Sequence, residues 1–415
     1  MIFHLYNILM TLAELILMGV SPFCGKGKFG KFVKGHCGLT GKIRREFAKK
    51  EGKKTAWIHA ASLGEYAVAR PIISKLKVSG YQIVVTFFSS TGLDALERKK
   101  GDADHVWYLP IDTRKNAANF LDIVKPDKAI FMISEFWPSF LSELDKRGID
   151  TYLVSALIRD NSAFFKPLGK YFASTLKAFK KIMVLDEHSA ENLRRLGYSG
   201  KVMTTGDPLF DNAILVANKE WHHPVIEKFA TGKKIFVAGS IHDEADLRLV
   251  AGLANKYPED RFIFVPHEIN ESFVAKIKES VNGKSVCVSE ISEQNDFNGV
   301  QVLIVDFIGA LASIYRLGSY AYVGGGFTPL LHSVIEATVY GLPVSFGPKI
   351  ERKVTPNQLI ELNIGRKVEN FADIDNWYSE LRGDNEKLDR IKAVARQYTE
   401  QNSNATEIIV KEIMQ

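Results

Sequence analysis

The fold class is most directly indicated by the segment Trp57-Ile58-His59-Ala60-Ala61-Ser62-Leu63-Gly64-Glu65. An apolar run of strand-like composition ends in small residues and passes into a segment with helical spacing. Ligands of an open parallel sheet bind beyond the carboxyl ends of its strands, so we expect Glu65 at a ligand-binding edge, as a candidate catalytic residue. The same spacing also fits a glutamate that stands at a helix start only because the helix dipole favours it there.

The strand, turn and helix pattern repeats along the chain and divides it into two halves. Predicted strands cover residues 55–60, 81–88, 105–110, 128–134, 151–156, 181–186 and 201–206, then 234–240, 261–267, 285–290, 300–306, 320–326 and 343–348. This alternation predicts parallel sheets in an α/β protein with two doubly wound domains. We expect these domains at 55–210 and 234–384, a linker at 211–233 and a C-terminal helix at 385–415.

The N-terminus combines an apolar stretch with a basic segment. Residues 1–20 form an apolar stretch interrupted by His4 and Glu14, and a helix of about 20 residues reaches about 30 Å, enough to cross a hydrocarbon core. Lysines and arginines crowd residues 26–54. By the positive-inside rule, this predicts a membrane anchor at 1–24, a juxtamembrane segment at 25–54 and a cytoplasmic remainder. A helix lying in the membrane interface, or a secretory signal, are the alternatives.

Charge and cysteine content exclude some classes of function. The chain has a formal net charge of +6, but the basic segment accounts for it and the remainder is close to neutral, which argues against a nucleic-acid groove. Three scattered cysteines, Cys24, Cys37 and Cys287, form neither a disulfide framework nor a zinc motif. A reducing compartment fits this pattern.

The second half contains a glycine triplet, Gly324-Gly325-Gly326, directly after a predicted strand. Glycines let a backbone approach a ligand closely, and free amides at the start of a following helix suit a phosphate; a tight turn is the alternative. We expect a helical run over about 332–340, which would place His332 and Glu336 on one face, for a phosphate and a ribose. Such a pair also suits a metal, but no further ligand cluster is evident in the sequence.

Two more positions follow predicted strands. Ser240 and the amides after it are a second phosphate candidate, with a simple helix-capping turn as the alternative. Glu135, in Ser134-Glu135-Phe136-Trp137-Pro138, is a candidate to support Glu65 or to hold a substrate hydroxyl, and it also fits an ordinary helix start.

A series of sequence blocks follows one another in a fixed order along nearly the whole chain. The blocks are His59-Ala60-Ala61-Ser62-Leu63-Gly64-Glu65, Thr86-Phe87-Phe88-Ser89-Ser90-Thr91-Gly92, Tyr108-Leu109-Pro110-Ile111-Asp112, Glu135-Phe136-Trp137-Pro138, Gly206-Asp207 with Phe210-Asp211, Val265-Pro266-His267, and Gly324-Gly325-Gly326 with His332 and Glu336. In order and spacing, these blocks resemble the Kdo (3-deoxy-D-manno-octulosonic acid) transferases of lipopolysaccharide assembly, and the branch in Bacteroidetes-like bacteria most.

The resemblance implies a GT-B glycosyltransferase: two Rossmann-like domains around a cleft, with an N-terminal helix at the cytoplasmic side of the inner membrane. The donor would be CMP-Kdo, bound by the C-terminal domain. The acceptor would be a lipid A precursor similar to lipid IVA, bound by the N-terminal domain. The reaction would proceed with inversion and without metal or cofactor.

The resemblance also implies roles for single residues. Glu65 would be the general base, with Ser62, Gly64, Glu135 and Arg159 in acceptor or supporting roles. The donor would be held by Ser240, His267, Gly324, Gly325, Gly326, His332 and Glu336. The chain departs from the family pattern in having no arginine beside His267, Ser333 after His332, and Leu209 in place of a basic residue.

Two other functions fit the same residues. One is a GT-B protein acting on another CMP- or UDP-sugar, as a transferase or an epimerase. The other is a catalytically silent relative that binds a nucleotide sugar or a lipid. The apolar N-terminus favours a lipid acceptor over an epimerase, and the presence of Glu65 and Glu336 counts against a silent protein.

Overall fold

The computed structural model describes residues 2–25, 27–47, 52–98, 101–166, 169–351 and 353–415. Lys26, Lys49, Lys50 and Glu51 of the basic segment lie outside these residues. The chain divides into two compact units: unit 1 is Met1–Asn212 with Ser403–Gln415, and unit 2 is Ala213–Asn402.

Fourteen strands are present in the described residues. They are β1 Thr55–His59, β2 Gln82–Phe87, β3 His105–Tyr108, β4 Lys128–Met132, β5 Asp150–Ala156, β6 Lys181–Val184, β7 Lys201–Thr204, β8 Ile235–Ile241, β9 Arg261–Pro266, β10 Lys284–Cys287, β11 Val300–Ile304, β12 Tyr320–Val323, β13 Val344–Phe346 and β14 Gly365–Lys367.

The helices flank these strands. They are α1 Ile2–Val20, α2 Lys28–His36, α3 Leu39–Glu46, α4 Leu63–Val78, α5 Ser90–Arg98, α6 Arg114–Val124, α7 Pro138–Lys146, α8 Gly169–Ala173, α9 Glu187–Arg195, α10 Pro208–Ala217, α11 Pro224–Ala230, α12 Glu244–Lys256, α13 Glu271–Ser280, α14 Leu311–Ile314, α15 Ile335–Thr338, α16 Val354–Glu361, α17 Phe371–Arg382, α18 Asn385–Gln401 and α19 Ala405–Met414.

Each unit is built on one seven-stranded sheet. The strand order is β3-β2-β1-β4-β5-β6-β7 in unit 1 and β10-β11-β9-β8-β12-β13-β14 in unit 2. Neighbouring strands pair in parallel, for example β1 with β2 and with β4, and β8 with β9 and with β12. The carboxyl ends of the central strands therefore meet at one edge of each sheet, where ligands of such folds bind.

Both faces of the first sheet are buried, which explains its continuous apolar strands. Trp57 and Phe131 pack on one face, and Ile58 and Ile130 on the other. Helix α19 returns from the end of the chain to cover the second face with Ile409 and Ile413. A parallel sheet covered on both sides needs such strands, because each side chain faces a core.

All thirteen predicted strands are present, and the two parallel sheets confirm the α/β prediction. Strand β14 is an addition, since its residues Gly365–Lys367 lack an apolar run. The predicted linker at 211–233 contains α11 and most of α10, and the C-terminal segment forms two helices, α18 and α19.

Candidate functional site

Glu65 lies in the first turn of α4, directly beyond the carboxyl end of β1. Ser62 is the N-cap of this helix, and its Oγ accepts a hydrogen bond from Glu65 N at 3.3 Å. The Glu65 carboxylate turns back and accepts a hydrogen bond from Ala61 N. Gly64 is exposed, and a Cβ built on it would lie 3.8 Å from Ser62 Oγ, an ordinary van der Waals contact. The structure therefore confirms the predicted position of Glu65 at the sheet edge.

The surroundings of Glu65 favour its protonated form. Burial, and then the nearby charge of Glu135, raise its pKa to about 8, although the amides of Ala61 and Ser62 oppose the shift. A carboxyl group with a pKa near neutrality can accept a proton in a reaction and is still a stronger base than an ordinary glutamate. This pair of carboxylates supplies an acid–base group at the edge of unit 1.

A hydrogen-bond network behind Glu65 fixes Glu135. Its Oε2 lies 3.2 Å from His59 Nε2 and accepts from Trp137 Nε1 at 2.7 Å. His59 is fully buried, and its Nδ1 lies 3.0 Å from Thr86 Oγ1, which itself accepts from Trp57 Nε1. The same Nδ1 also lies 3.1 Å from the carbonyl oxygen of Thr86, so Thr86 positions the ring while Nε2 faces the Glu135 carboxylate. Glu135 is thereby held in place while Glu65 faces the sheet edge.

The remaining predicted residue of unit 1, Arg159, follows β5, two strands from β1. Between them, β4 is followed directly by Ile133, a β-branched residue at φ 56°, and Ser155 near the end of β5 is at φ 55°. Such left-handed conformations are costly for these residue types and concentrate at functional sites. The strained strand ends frame the same edge at which Glu65 and Glu135 stand.

In unit 2, three histidines meet beyond the ends of neighbouring strands. His242 follows β8, His267 follows β9, and His332 follows the glycine triplet after β12. Ring centroids are 4.3 Å apart for His267 and His332, and 5.0 Å for His242 and His267. One ring nitrogen of each lies within 4.8 Å of the others. Sequence spacing indicated no further ligand near His332. The other two histidines follow strands that are neighbours in the sheet but distant in the chain.

The cluster has the donor atoms that transition metals take, and it also suits an anion. Burial, followed by His267, His242 and Lys353, lowers the pKa of His332 to about 4, so its ring is neutral at pH 7. Among the described residues, its Nε2 and the Nδ1 of His242 are buried without a hydrogen-bond partner. Neutral imidazoles donate or coordinate, and an anion or a metal would satisfy them.

The glycine triplet is required by packing. A Cβ on Gly324 would lie 2.1 Å from Ser240 O, and one on Gly326 would lie 2.5 Å from Gly347 N. Gly324 N donates to Gly239 O at 2.9 Å, and Gly325 N donates to Asp246 at 2.8 Å. These two amides already donate hydrogen bonds inside the protein, so they do not bind a phosphate in this arrangement. A phosphate at the triplet would need donors from neighbouring residues.

The predicted helix over 332–340 is wrong. His332 is not helical, and α15 covers only Ile335–Thr338. The reason is that His332 N donates to Gly324 O at 3.2 Å, which ties the residue to the glycine loop. His332 and Glu336 therefore do not share a helix face, and this short helix offers no phosphate site at its start.

Glu336 and Ser240 lie nearby in the same unit. Burial raises the pKa of Glu336 to about 7, and its charge acts on Tyr315, whose hydroxyl is buried. Ser240 adopts φ 53° at an irregularity in the pairing of β8 with β9. Both stand at the end of the sheet that carries the three histidines.

Sequence reasoning missed three residues of these sites. His59 was hidden in an apolar strand, and its role depends on Thr86 and Glu135 from two other strands. His242 follows β8 as His267 follows β9, so the same rule could have found it. Asp246 resembled one more acidic residue at a helix start, yet it is fully buried and binds two loops.

One described helix, Phe3–Phe23, is long and apolar enough to cross a membrane. Its polar side chains contact unit 1: Tyr6 Oη donates to Asp112 Oδ2 at 2.8 Å, and Glu14 Oε1 accepts from Asn116 Nδ2 at 2.7 Å. Leu9 and Ile16 are 56% and 64% exposed. The helix is therefore fixed to unit 1 by polar contacts and leaves apolar side chains uncovered.

Comparisons with known proteins agree with this arrangement. A family model described as 3-Deoxy-D-manno-octulosonic-acid transferase (kdotransferase) matches residues 39–212. A 3-deoxy-D-manno-octulosonic acid transferase of Aquifex aeolicus is 27% identical over 82% of this chain and 90% of its own, and one of Rickettsia typhi is 27% identical over 81% and 73%.

A solved structure shows the same fold. The UDP-GlcNAc 2-epimerase of Neisseria meningitidis, solved with UDP-GlcNAc, matches with a TM-score of 0.62 and 17% identity over 87% of this chain and 99% of its own. Two parallel seven-stranded sheets with this likeness are a GT-B fold. The family model covers residues 39–212, and the named relatives are 27% identical over most of this chain, so the chain is similar to the 3-deoxy-D-manno-octulosonic acid transferases.

Proposed function

We propose that this chain transfers Kdo from CMP-Kdo to a sugar hydroxyl of a lipid A precursor, with inversion and without a metal. The observation that carries the proposal is Glu65, a half-buried carboxyl at the sheet edge whose pKa of about 8 suits a general base. The likeness to relatives named as Kdo transferases supports these substrates.

In the proposed step, Glu65 takes the proton of the acceptor hydroxyl. The hydroxyl oxygen forms a bond to the anomeric carbon of Kdo, and the bond from that carbon to the phosphate oxygen breaks, so that CMP leaves. Glu135 raises the basicity of Glu65 by its charge and is itself fixed by His59 and Trp137. Attack on the face opposite the leaving phosphate inverts the configuration.

Unit 2 offers the groups for an anionic donor. His267 and His332 lie together, and Lys353 is close enough to His332 to lower its pKa. Lys353 can supply the positive charge that the missing arginine beside His267 would have carried. Binding a phosphate or carboxylate favours protonation of His332, which strengthens the hydrogen bond that its ring donates. Glu336 is the candidate partner of the ribose hydroxyls, and Ser240 lies at the same strand end.

The lipid acceptor is supported by α1. Its polar side chains face unit 1 and Leu9 and Ile16 face outward, which is the arrangement of a helix lying in a membrane interface. We favour this orientation over a spanning helix, because crossing the bilayer would take Tyr6 and Glu14 from their partners. The basic residues that follow support attachment at the cytoplasmic side of the inner membrane.

The test is to incubate the detergent-solubilised protein with a tetraacylated lipid A precursor and either CMP-Kdo or UDP-GlcNAc. We expect the lipid mass to rise by one or more Kdo residues with CMP-Kdo only. Conversion of UDP-GlcNAc to its epimer, read by NMR, would replace the proposal with an epimerase. CMP binding without any lipid product would identify a silent relative.

A further inference from the structure

Asp246 is a carboxylate on α12 that joins the ends of two strands in unit 2. Its side chain is fully buried. Oδ2 accepts hydrogen bonds from His242 N at 2.9 Å and Gly325 N at 2.8 Å, and Oδ1 accepts from Tyr322 Oη at 2.5 Å. One carboxylate therefore binds the backbone after β8, the backbone after β12 and a side chain of β12.

The two strand ends joined in this way carry the histidine cluster. His242 is the residue whose amide Asp246 holds, and His332 is tied to the glycine loop through Gly324 O. The strand ends lie so close that a Cβ on Gly324 would contact both Ser240 O and Asp246 Oδ2, at 2.1 and 2.7 Å. The carboxylate thus occupies the space between the loops.

A buried carboxylate is costly unless hydrogen-bond donors satisfy it. Here three donors do so, and the position in the first turn of α12 adds the favourable end of the helix dipole. The donors in turn depend on the carboxylate: without it, two buried amides that point into the protein would lose their acceptor. A loop with such unsatisfied amides would rearrange to reach water.

We propose that Asp246 is a positioning residue for donor binding, which acts by holding the loops of His242 and His332 in register. The identity of the ligand, a cytidine nucleotide, rests on the proposed function. The effect of Asp246 on the two loops does not depend on it. Asp246 does not touch the reacting atoms in this account. Its removal therefore lowers affinity for the donor more than it lowers the rate of the bound complex.

The experiment compares Asp246→Ala, Asp246→Asn and Asp243→Asn in the full chain. Asp243 is a matched control, because it stands at the start of the same helix and its side chain, among the described residues, accepts only from the helix amides of Ala245 and Asp246. We expect Asp246→Ala to raise the Kd for CMP and the KM for CMP-Kdo at least about tenfold, with kcat within about threefold.

Asparagine keeps an acceptor for the amides and a donor for the Tyr322 oxygen, so Asp246→Asn should recover most of the affinity. Asp243→Asn should leave it unchanged. CMP affinity unaffected in Asp246→Ala, or lost equally in Asp243→Asn, would overturn the inference. So would a loss confined to kcat, because a positioning role for binding does not produce it.

A second readout does not depend on the donor. Amide hydrogen exchange over residues 320–334 should be faster in Asp246→Ala by about tenfold or more, and unchanged in Asp243→Asn. Wild-type protein that fails to bind CMP would overturn the proposed function and the donor role with it. The effect of Asp246 on the loops is then judged on exchange alone, and unchanged exchange contradicts it.

Discussion

Glu65 combines two properties that an ordinary surface glutamate lacks. It is partly desolvated at the end of β1, and it stands near a second carboxylate, Glu135, which is fixed by His59 and Trp137. Both effects disfavour a charge on Glu65. The same arrangement that makes it a stronger base also leaves it mostly protonated at pH 7.

This predicts a pH-dependent rate. The value of kcat/KM for transfer should rise with pH and level off above about 8, because only ionised Glu65 accepts the hydroxyl proton. Initial rates between pH 6 and 9.5 measure the profile. Glu135→Gln removes the second charge and should move the midpoint to lower pH, and a midpoint that stays in place would show that Glu135 does not act on Glu65.

The raised pKa also predicts a stability effect with a defined sign. Folded Glu65 holds its proton up to about pH 8, whereas in the unfolded chain it loses it near 4.5, so stability falls as pH rises through this window. Glu65→Gln has no such loss. Its Tm should therefore exceed that of the wild type by several degrees at pH 9, with little difference at pH 5, in thermal unfolding scans. An equal difference at both values would contradict the account.

At the scale of elements, α19 depends on a residue far away in the chain. Asp211 accepts from Asn404 N and Thr406 N, both at 2.7 Å, and so satisfies the amides at the start of α19. Ile409 and Ile413 of this helix complete one face of the first sheet. Asp211, part of the Phe210-Asp211 block, therefore has a structural role.

Asp211→Ala should destabilise the folded protein by about 1–2 kcal/mol, the usual effect of losing an N-cap. Urea unfolding followed by circular dichroism measures the change. Glu407→Gln is the control on the same helix, since its ion pair with Lys75 is exposed and contributes at most about 1 kcal/mol. Equal destabilisation by both variants would refute the capping role of Asp211.

The elements could be predicted from sequence where one local pattern determines them. Thirteen strands are apolar runs between turns, whereas β14 has two exposed charged residues, Arg366 and Lys367, and forms by pairing with β13. The predicted helix at His332 failed because a hydrogen bond to Gly324, a contact that periodicity does not show, holds the residue outside α15. The position of Glu65 was predictable because it directly follows a strand. The hydrogen-bond network of His59 was not, because its members come from three strands that are distant in the chain.

For the whole molecule, the exposed apolar side chains of α1 predict attachment to a membrane. Leu5, Leu9, Leu12 and Ile16 are each more than half exposed. Burying such side chains in an interface contributes about 1.5–3 kcal/mol each. A combined Leu9→Glu and Ile16→Glu variant should bind anionic phospholipid vesicles at least about tenfold more weakly in a sedimentation assay.

The control for that assay is Val78→Glu, which changes an exposed apolar residue at the end of α4. Val78 is 90% exposed, so any general effect of adding a charge would appear there as well. If both proteins lose vesicle binding equally, the effect is one of net charge and α1 is not the attachment site.

In the proposed reaction, Glu65 deprotonates the acceptor hydroxyl during Kdo transfer. The yield of Kdo-bearing lipid, read by mass spectrometry, tests this role in wild type, Glu65→Gln and Glu135→Gln given CMP-Kdo and the lipid A precursor. We expect product from wild type, a loss of at least about 100-fold in Glu65→Gln, and a smaller loss in Glu135→Gln. Transfer by Glu65→Gln at the wild-type rate would contradict it.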